Sequence, residues 1–289
     1  MPASNRPGGF NPQPTTPSVS IIVPVLNESL NIAGSIERII RDFPDCELIV
    51  VDGGSSDNTV ELASQYAKVV TSEPGRALQM NTGAVAASSE VLWFIHADVE
   101  VDARALHQIM AALGNEEVVG GGLSLRFDKR SFGLLYLSWS SNLRAKYLHW
   151  IFGDQSLFVR KSAFEAVGQF PDLPIFEDME LSRRLHKSGK LVLVRATSQA
   201  SARRFVAHGT WSMIVLMQHL KVLYFLGVDP EIIRDKYLAG PDSLRPRLTK
   251  KSSSLVCGQV RWPLKRASLS SLGNDIVRPI FRHLRKERP

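Results

Sequence analysis

Leu48-Ile-Val-Val-Asp52-Gly-Gly-Ser-Ser-Asp57 is a short apolar run that ends abruptly in a polar, glycine-containing loop. Four consecutive apolar residues leave no polar face. The strand they form must therefore be buried on both sides, which is the habit of parallel sheets covered by helices. The same pattern stands at Ile21-Ile22-Val23 and at Val91-Leu92-Trp93-Phe94-Ile95. Between these runs the apolar period turns helical. Ile32, Ile36, Ile39 and Ile40 form one stripe. Val60, Ala63 and Ala67 form a second, entered through Asp57 or Asn58 as cap, and Leu106, Ile109, Met110 and Leu113 a third, entered at Asp102. This alternation over residues 20–115 predicts right-handed crossovers and a doubly wound α/β half-domain.

The second half reads as mixed. A strand is expected at Gly120–Phe127, followed by an aromatic-rich stretch, Ser131–Phe152, in which Tyr136, Trp139, Tyr147 and Trp150 crowd together. A strand at Ser156–Arg160 leads into a short helix opened by the capping box Ser162-x-x-Glu165 and ended near Gly168. Glu177–Ser188 reads as a helix, Lys190–Val194 as a strand, and Trp211–Leu226 as a last helix, apolar almost all round.

The 289 residues, 44% hydrophobic and 22% charged, have the composition of a globular protein with a sizeable core. Cys46 and Cys257 form no CxxC pair, which excludes a disulfide scaffold and a cysteine-rich zinc site. No apolar run reaches membrane-spanning length and the first residues do not read as a signal peptide, so a cytoplasmic location is expected. The net charge of +7 is unevenly spread: residues 241–289 hold 12 Lys/Arg against 3 Asp/Glu, which leaves the other 240 residues at −2. A near-neutral body argues against nucleic acid as a partner. The expected organisation is a disordered Pro-rich tail (1–18), one α/β domain (19–240) and a basic, flexible tail (241–289). That tail is either a solvated appendage or an anchor for an anionic membrane surface.

Ligands of open α/β sheets bind beyond the carboxyl ends of the strands, and polar clusters stand there in this sequence. The first strand ends in Pro24-Val-Leu-Asn27-Glu28, the second in Asp52-Gly-Gly-Ser-Ser-Asp57, and the third in His96-Ala-Asp98. Neither GxGxxG nor GxxxxGK[ST] is present. These clusters, with Phe176-Glu177-Asp178, resemble the ordered motifs of glycosyltransferase family 2. Gly75-Arg76-Ala-Leu-Gln79-Met-Asn81, Gly153-Asp154-Gln155 and Ser201-Ala-Arg203-Arg204-Phe205 look closer still to a bacterial subgroup with His-Ala-Asp in place of the usual acidic metal motif. Seven motifs in this order and spacing, covering roughly residues 19–240, are specific where each alone is not.

The resemblance implies a GT-A-like fold, a doubly wound and mostly parallel sheet flanked by helices. It also implies an inverting enzyme of hexosyltransferase type, using a nucleotide-diphospho-sugar donor, a UDP-sugar, with a divalent cation (Mg2+ or Mn2+). On that basis Pro24, Asn27, Glu28 and Asp52 are expected at the nucleotide, with Asp52 accepting from the base; an Asx-turn is its other reading. Asp57 is a simple helix cap, and Gly53 stands where the family commonly has a second aspartate. Asp98 is the expected metal ligand, with His96 either a ligand or a donor behind it. Asp178, with Glu177 beside it, is the expected general base; otherwise the pair serves the helix dipole. Arg76, Arg203 and Arg204 are expected on the diphosphate, since guanidinium pairs bidentately with phosphate.

Ser201 replaces the glutamine of processive relatives, which argues against polymer synthesis. His208 either completes the metal site or is structural. Asp154 and Gln155 are expected to meet a small-molecule or lipid-like acceptor, whereas Trp139 and Trp150 read more naturally as core. The apolar last helix packs on the domain or, with Lys221, beds into a bilayer surface. Two competing readings are a catalytically degenerate GT-A domain used for binding and a sugar nucleotidyltransferase. The second lacks its glycine-rich activation loop after the first strand.

Overall fold

The computed structural model describes residues 19–244, which form an eight-stranded sheet covered by helices on both faces. In chain order the elements are β1 (Val19–Val25), α1 (Ile32–Asp42), β2 (Glu47–Asp52), α2 (Thr59–Ser64), β3 (Lys68–Thr71), α3 (Arg76–Ala86), β4 (Val91–Phe94) and β5 (Val99–Val101). Next come α4 (Ala105–Leu113), β6 (Val118–Phe127), α5 (Phe132–Leu148), a 3-10 turn (Gly153–Gln155), β7 (Phe158–Arg160), α6 (Lys161–Ala166) and α7 (Glu177–Ser188). The order closes with β8 (Lys190–Ala200), α8 (Arg203–His208), α9 (Thr210–Phe225), α10 (Pro230–Ala239) and a second 3-10 turn (Gly240–Leu244).

The strands lie in the order β3-β2-β1-β4-β7-β6-β8-β5. β1 runs parallel to both β2 and β4, β2 to β3, and β6 to β8. β7 is antiparallel to its neighbours β4 and β6, and β5 is antiparallel to β8. The mostly parallel, doubly wound sheet is thus as the sequence implies.

Side chains alternate between the two faces with the strand period of two. Ile21, Val23 and Val25 of β1, Val50 of β2 and Trp93 of β4 join α1, α2 and α4 in one core. Ile22, Ile49, Val51, Leu92 and Phe94 join α3, α6 and α7 in the other. The crossovers from β1 to β2 and from β2 to β3 therefore lie on one face, and that from β3 to β4 on the opposite face. The strand order reverses between β1 and β4, and the loops at this switch point are where such folds bind ligands. A third cluster joins α9 and α10 to Trp150, Ile175, Phe176 and Met179 beside the sheet.

The close approach of β8 requires Gly121 in β6. A Cβ there would stand 2.6 Å from Cζ of Phe158 and overlap the Val192 carbonyl.

Several expectations need correction. Ile40, Val60 and Met110 are exposed, because each is rotated by about 100° from a buried neighbour (Ile39, Thr59, Ile109) that faces the sheet. α6 begins at Lys161, so Ser162 lies inside the helix and forms no capping box. Trp150 is buried and stacks on Phe225, whereas Trp139 is exposed beside Tyr136, so the aromatics divide between two places. α9 is followed by α10, which Asp229 caps by accepting from the Glu231 N–H at 2.8 Å. Residues 241–244 are described as the closing 3-10 turn, while the expected tail at 1–18 and the remainder of the basic one lie outside the described residues. Among the described residues, no helix is long and apolar enough to cross a membrane.

Candidate functional site

The loops after β1 and β2 bind one another. Asn27, at a left-handed φ of 54°, accepts the Ser56 N–H on its Oδ1 at 2.9 Å, and its own N–H donates to Ser55 Oγ. Asp57 accepts from the Thr59 hydroxyl and from the backbone of Ser29 and Thr59, and these bonds, the hydroxyl's foremost, lower its pKa to about 2. It clips two loops together rather than simply capping α2. The Glu28 N–H donates to Thr59 Oγ1, and the Glu28 carboxylate accepts from Asn31. Buried Asp52 accepts the N–H groups of Gly54 and Ser55 at 2.9 and 3.0 Å, the Asx-turn geometry. Pro24 is buried within β1. These four candidate nucleotide contacts therefore form a self-bonded ledge at the β1–β2 ends, outside the lining of the central cleft.

The motif on α3 is chiefly scaffolding. Gln79 Nε2 donates to the Val25 and Val51 carbonyls at 2.7 and 2.9 Å, which ties β1 to β2 where they end. A Cβ on Gly53 would collide with that amide, so glycine is the residue that fits at this position. Asn81 exchanges two hydrogen bonds with the Phe170 backbone. Of the motif's polar side chains, only the half-exposed Arg76, first residue of α3, reaches the cleft.

The cleft floor is built from His96 and Asp98 after β4, Gly153 and Asp154 of the 3-10 turn, and Asp178 of α7. Asp178 Oδ2 accepts the Gly153 N–H at 2.6 Å and Oδ1 accepts the Met179 N–H at 2.7 Å. Its carboxyl is fixed by two backbone donors while it borders the cleft. Burial pushes its pKa up, against the pull of Arg76. Phe176, at a left-handed φ of 67°, turns the chain so that α7 starts with both carboxylates facing inward. Glu177 pairs with Arg76 at 3.1 Å, and its Oε2 is buried without a hydrogen-bond partner. Burial raises this carboxyl to about 7, with Arg76 opposing.

Burial and the nearby Arg76 push the His96 pKa down to about 4, with Asp98 opposing. It packs on Gly153, where any Cβ would overlap the imidazole. Asp98 borders both the cleft and a second groove formed with Asn31, Ser35, Arg38 and Glu100.

Two cations of the cleft wall lay beyond the sequence reading as site residues. Arg144 of α5 donates to the Trp150 carbonyl and to Gln155 Oε1, each at 3.2 Å, and lies 4.0 Å over the Phe152 ring. Burial lowers its pKa to about 10. Burial and Arg144 lower Lys221 of α9 to about 8. Lys221 left a trace in the sequence, as the one Lys, Arg, Asp or Glu between Arg204 and Asp229.

Not every expected site residue reaches the cleft. Gln155 is fully buried and spends its amide on Leu123, Asn142 and Arg144, so it supports the cleft wall from behind rather than meeting an acceptor. Arg203 points into the second groove. Arg204 borders the cleft, donating to the Tyr237 carbonyl at 2.7 Å and stacking on that ring. His208 lines a separate hollow with Trp211 and Pro241, away from Asp98.

Asp154 is in the cleft, with Oδ1 buried and unpartnered. Burial raises its carboxyl from 3.8 to about 6. The folded chain therefore retains this proton where the unfolded chain has released it, and the associated stability is lost as pH rises through that window. Asp154→Asn removes the titration. Its melting temperature should match wild type near pH 4 and exceed it by a few degrees near pH 8, roughly 1–3 kcal/mol. A melting difference that is the same at both pH values would contradict this.

Residues 20–167, just over half of the chain, match the family model of Glycosyl transferase family 2. Glycosyltransferase AglE of Haloferax volcanii is 29% identical over 55% of this chain and 57% of its own length. The chain spans less than two thirds of the curated relatives it matches. Among solved structures, mannosyltransferase PcManGT of Pyrobaculum calidifontis, in complex with GDP-Man and Mn2+, is similar at TM-score 0.55 and 20% identity over 82% of this chain and 73% of that one. Glucosyl-3-phosphoglycerate synthase of Mycobacterium tuberculosis, in complex with Mn2+, UDP and glucosyl-3-phosphoglycerate, gives TM-score 0.52 and 18% identity over 78% and 87%. These likenesses show the GT-A-type fold.

Proposed function

The chain belongs to glycosyl transferase family 2, and on that premise we propose that it moves a sugar from a UDP-sugar to a hydroxyl or carboxyl acceptor with inversion. The observation that carries this reading is the convergence of Asp98, Asp178, Arg76 and Arg204 on one cleft at the sheet's switch point. The nucleoside would lie on the ledge of Asn27, Glu28 and Asp52, and the diphosphate between Arg76 and Arg204. Arg203, in the neighbouring groove, is left without that role.

Among the described residues no three His, Cys, Asp or Glu side chains are grouped to hold a metal. Among the described residues Asp98 borders the cleft with no hydrogen bond or ion pair of its own, and this carboxylate would hold a hard cation there. Half-buried His96, packed on Gly153, would support Asp98 from behind. Bound there, Mg2+ or Mn2+ supplies Lewis-acid stabilisation of the leaving diphosphate.

For inversion, the acceptor oxygen attacks the anomeric carbon opposite the diphosphate. As the new C–O bond forms, a hydroxyl acceptor passes its proton to Asp178, whereas a carboxylate acceptor attacks already deprotonated. The old C–O bond breaks, and its electron pair leaves on the phosphate oxygen. Burial makes Asp178 a stronger base than a solvated aspartate, and Asp154, which lines the same cleft, would orient the acceptor.

A thermal-shift panel of nucleotide sugars with Mn2+ or Mg2+ tests the donor. Melting should rise with uridine nucleotides plus metal. A guanosine-only response would overturn the choice of base, and stabilisation without turnover on any acceptor would favour a binding module.

A further inference from the structure

α5 and α9 bury one side each and leave the other bare. Leu134, Ser141 and Ala145 of α5 and Met213, Ile214, Leu216 and Leu220 of α9 are buried. Facing outward are Phe132 (89% exposed), Leu135 and Trp139 (61%) of α5, together with Trp211 (58%) and Val215 of α9. The Tyr136 ring joins the two rows, with its centroid 6.2 Å from Trp139 and 5.9 Å from Trp211. Isolated apolar residues on a surface need no explanation, but a contiguous aromatic patch does.

The two stretches of chain that carry the patch are free of acidic residues, and Asp242 is an acid at its edge. From Lys129 to Gly153 and from Arg203 to Val228 the sequence contains no Asp or Glu, while Lys129, Arg130, Lys146 and Arg203 are all present. Leu244, the last described residue, lines a hollow with Trp211, Val215 and Asp242 at the edge of the patch. The 45 residues that continue from there hold 12 Lys/Arg against 2 Asp/Glu.

We propose that the outer face of α5 and α9 docks on an anionic lipid bilayer. Tryptophan, tyrosine and phenylalanine suit the headgroup boundary, and the surrounding cations with the basic segment beyond residue 244 are complementary to acidic headgroups. A second copy is the poorer occupant, since a two-fold contact would set cations against cations. The same helices supply Leu137, Met217 and Lys221 to the cleft. Docking therefore brings the cleft to the bilayer, where a lipid-like acceptor resides. That last consequence rests on the proposed function; the docking itself does not.

The test is flotation of the full chain with phosphatidylglycerol-rich vesicles and with phosphatidylcholine vesicles, at low and high salt. Wild type should float with the anionic vesicles and less so in high salt. The Phe132→Ser, Trp139→Ser double variant should lose roughly tenfold or more in partitioning. Brominated lipid should quench wild-type tryptophan fluorescence, and Trp139→Phe with Trp211→Phe should remove most of that quenching. Equal flotation of wild type and variant, flotation of neither, or a dimer in light scattering that the variant abolishes would each overturn the proposal. UDP titration of the same variants should be unchanged, so failure at the bilayer stays distinguishable from failure of the donor site.

Discussion

Asp178→Asn should retain UDP affinity while turnover falls by roughly 10²–10⁴, the range for loss of a general base. Asparagine keeps the shape and removes the basic oxygen. One of the two backbone donors that hold Asp178, Gly153 N or Met179 N, would then face an amide NH2 instead of an acceptor. That costs about 1–3 kcal/mol locally, offset by removal of a buried charge. Circular dichroism and UDP titration check the fold and the donor site, and single-turnover assays read the chemistry. Because burial raises the Asp178 pKa, the wild-type rate should fall as pH drops through a value above the ordinary carboxylate range, and the variant should lose that limb. Unchanged turnover would remove Asp178 from the chemistry, and lost UDP binding would move it to the donor site.

Phe158→Ala should destabilise the domain by about 3–5 kcal/mol, a large share of a typical total of 5–15 kcal/mol. β7 is the splice of the sheet. Phe158 is paired with Trp93 of β4 on one side and with Gly121 of β6 on the other, and its ring is fully buried. Truncation opens a cavity where the parallel half of the sheet meets β6 and β8. The urea midpoint should fall with the slope unchanged, whereas exposed Phe132→Ala should move it by less than about 0.5 kcal/mol. Equal effects of the two would contradict the placement of β7.

What the sequence disclosed follows from burial. β1, β2 and β4 are continuous apolar runs, and such runs announce strands covered on both faces. β3 is only partly buried, at the sheet edge, and left no comparable pattern. α10 carries a start, Asp229-Pro230, but buries only Ile233 and so shows no apolar stripe of its own.

Within the site, Asp98, Asp154, Asp178, Arg76 and Arg204 were legible through a family resemblance, and all border the cleft. Gln155 shows the limit: its chemistry suits an acceptor, but a neighbour in sequence says nothing about which side of a wall a side chain faces. Arg144 and Lys221 were hidden for the opposite reason. A cation on a helix reads as a surface charge until packing by Phe152 and the Trp150 carbonyl encloses it.

Calorimetric titration of UDP into wild type and Asp98→Ala, each with and without Mn2+, tests the central claim most directly. The account predicts that Mn2+ tightens UDP binding to wild type and leaves the weaker binding by Asp98→Ala unchanged. Absence of UDP binding by wild type, or the same gain from Mn2+ in both proteins, would contradict it.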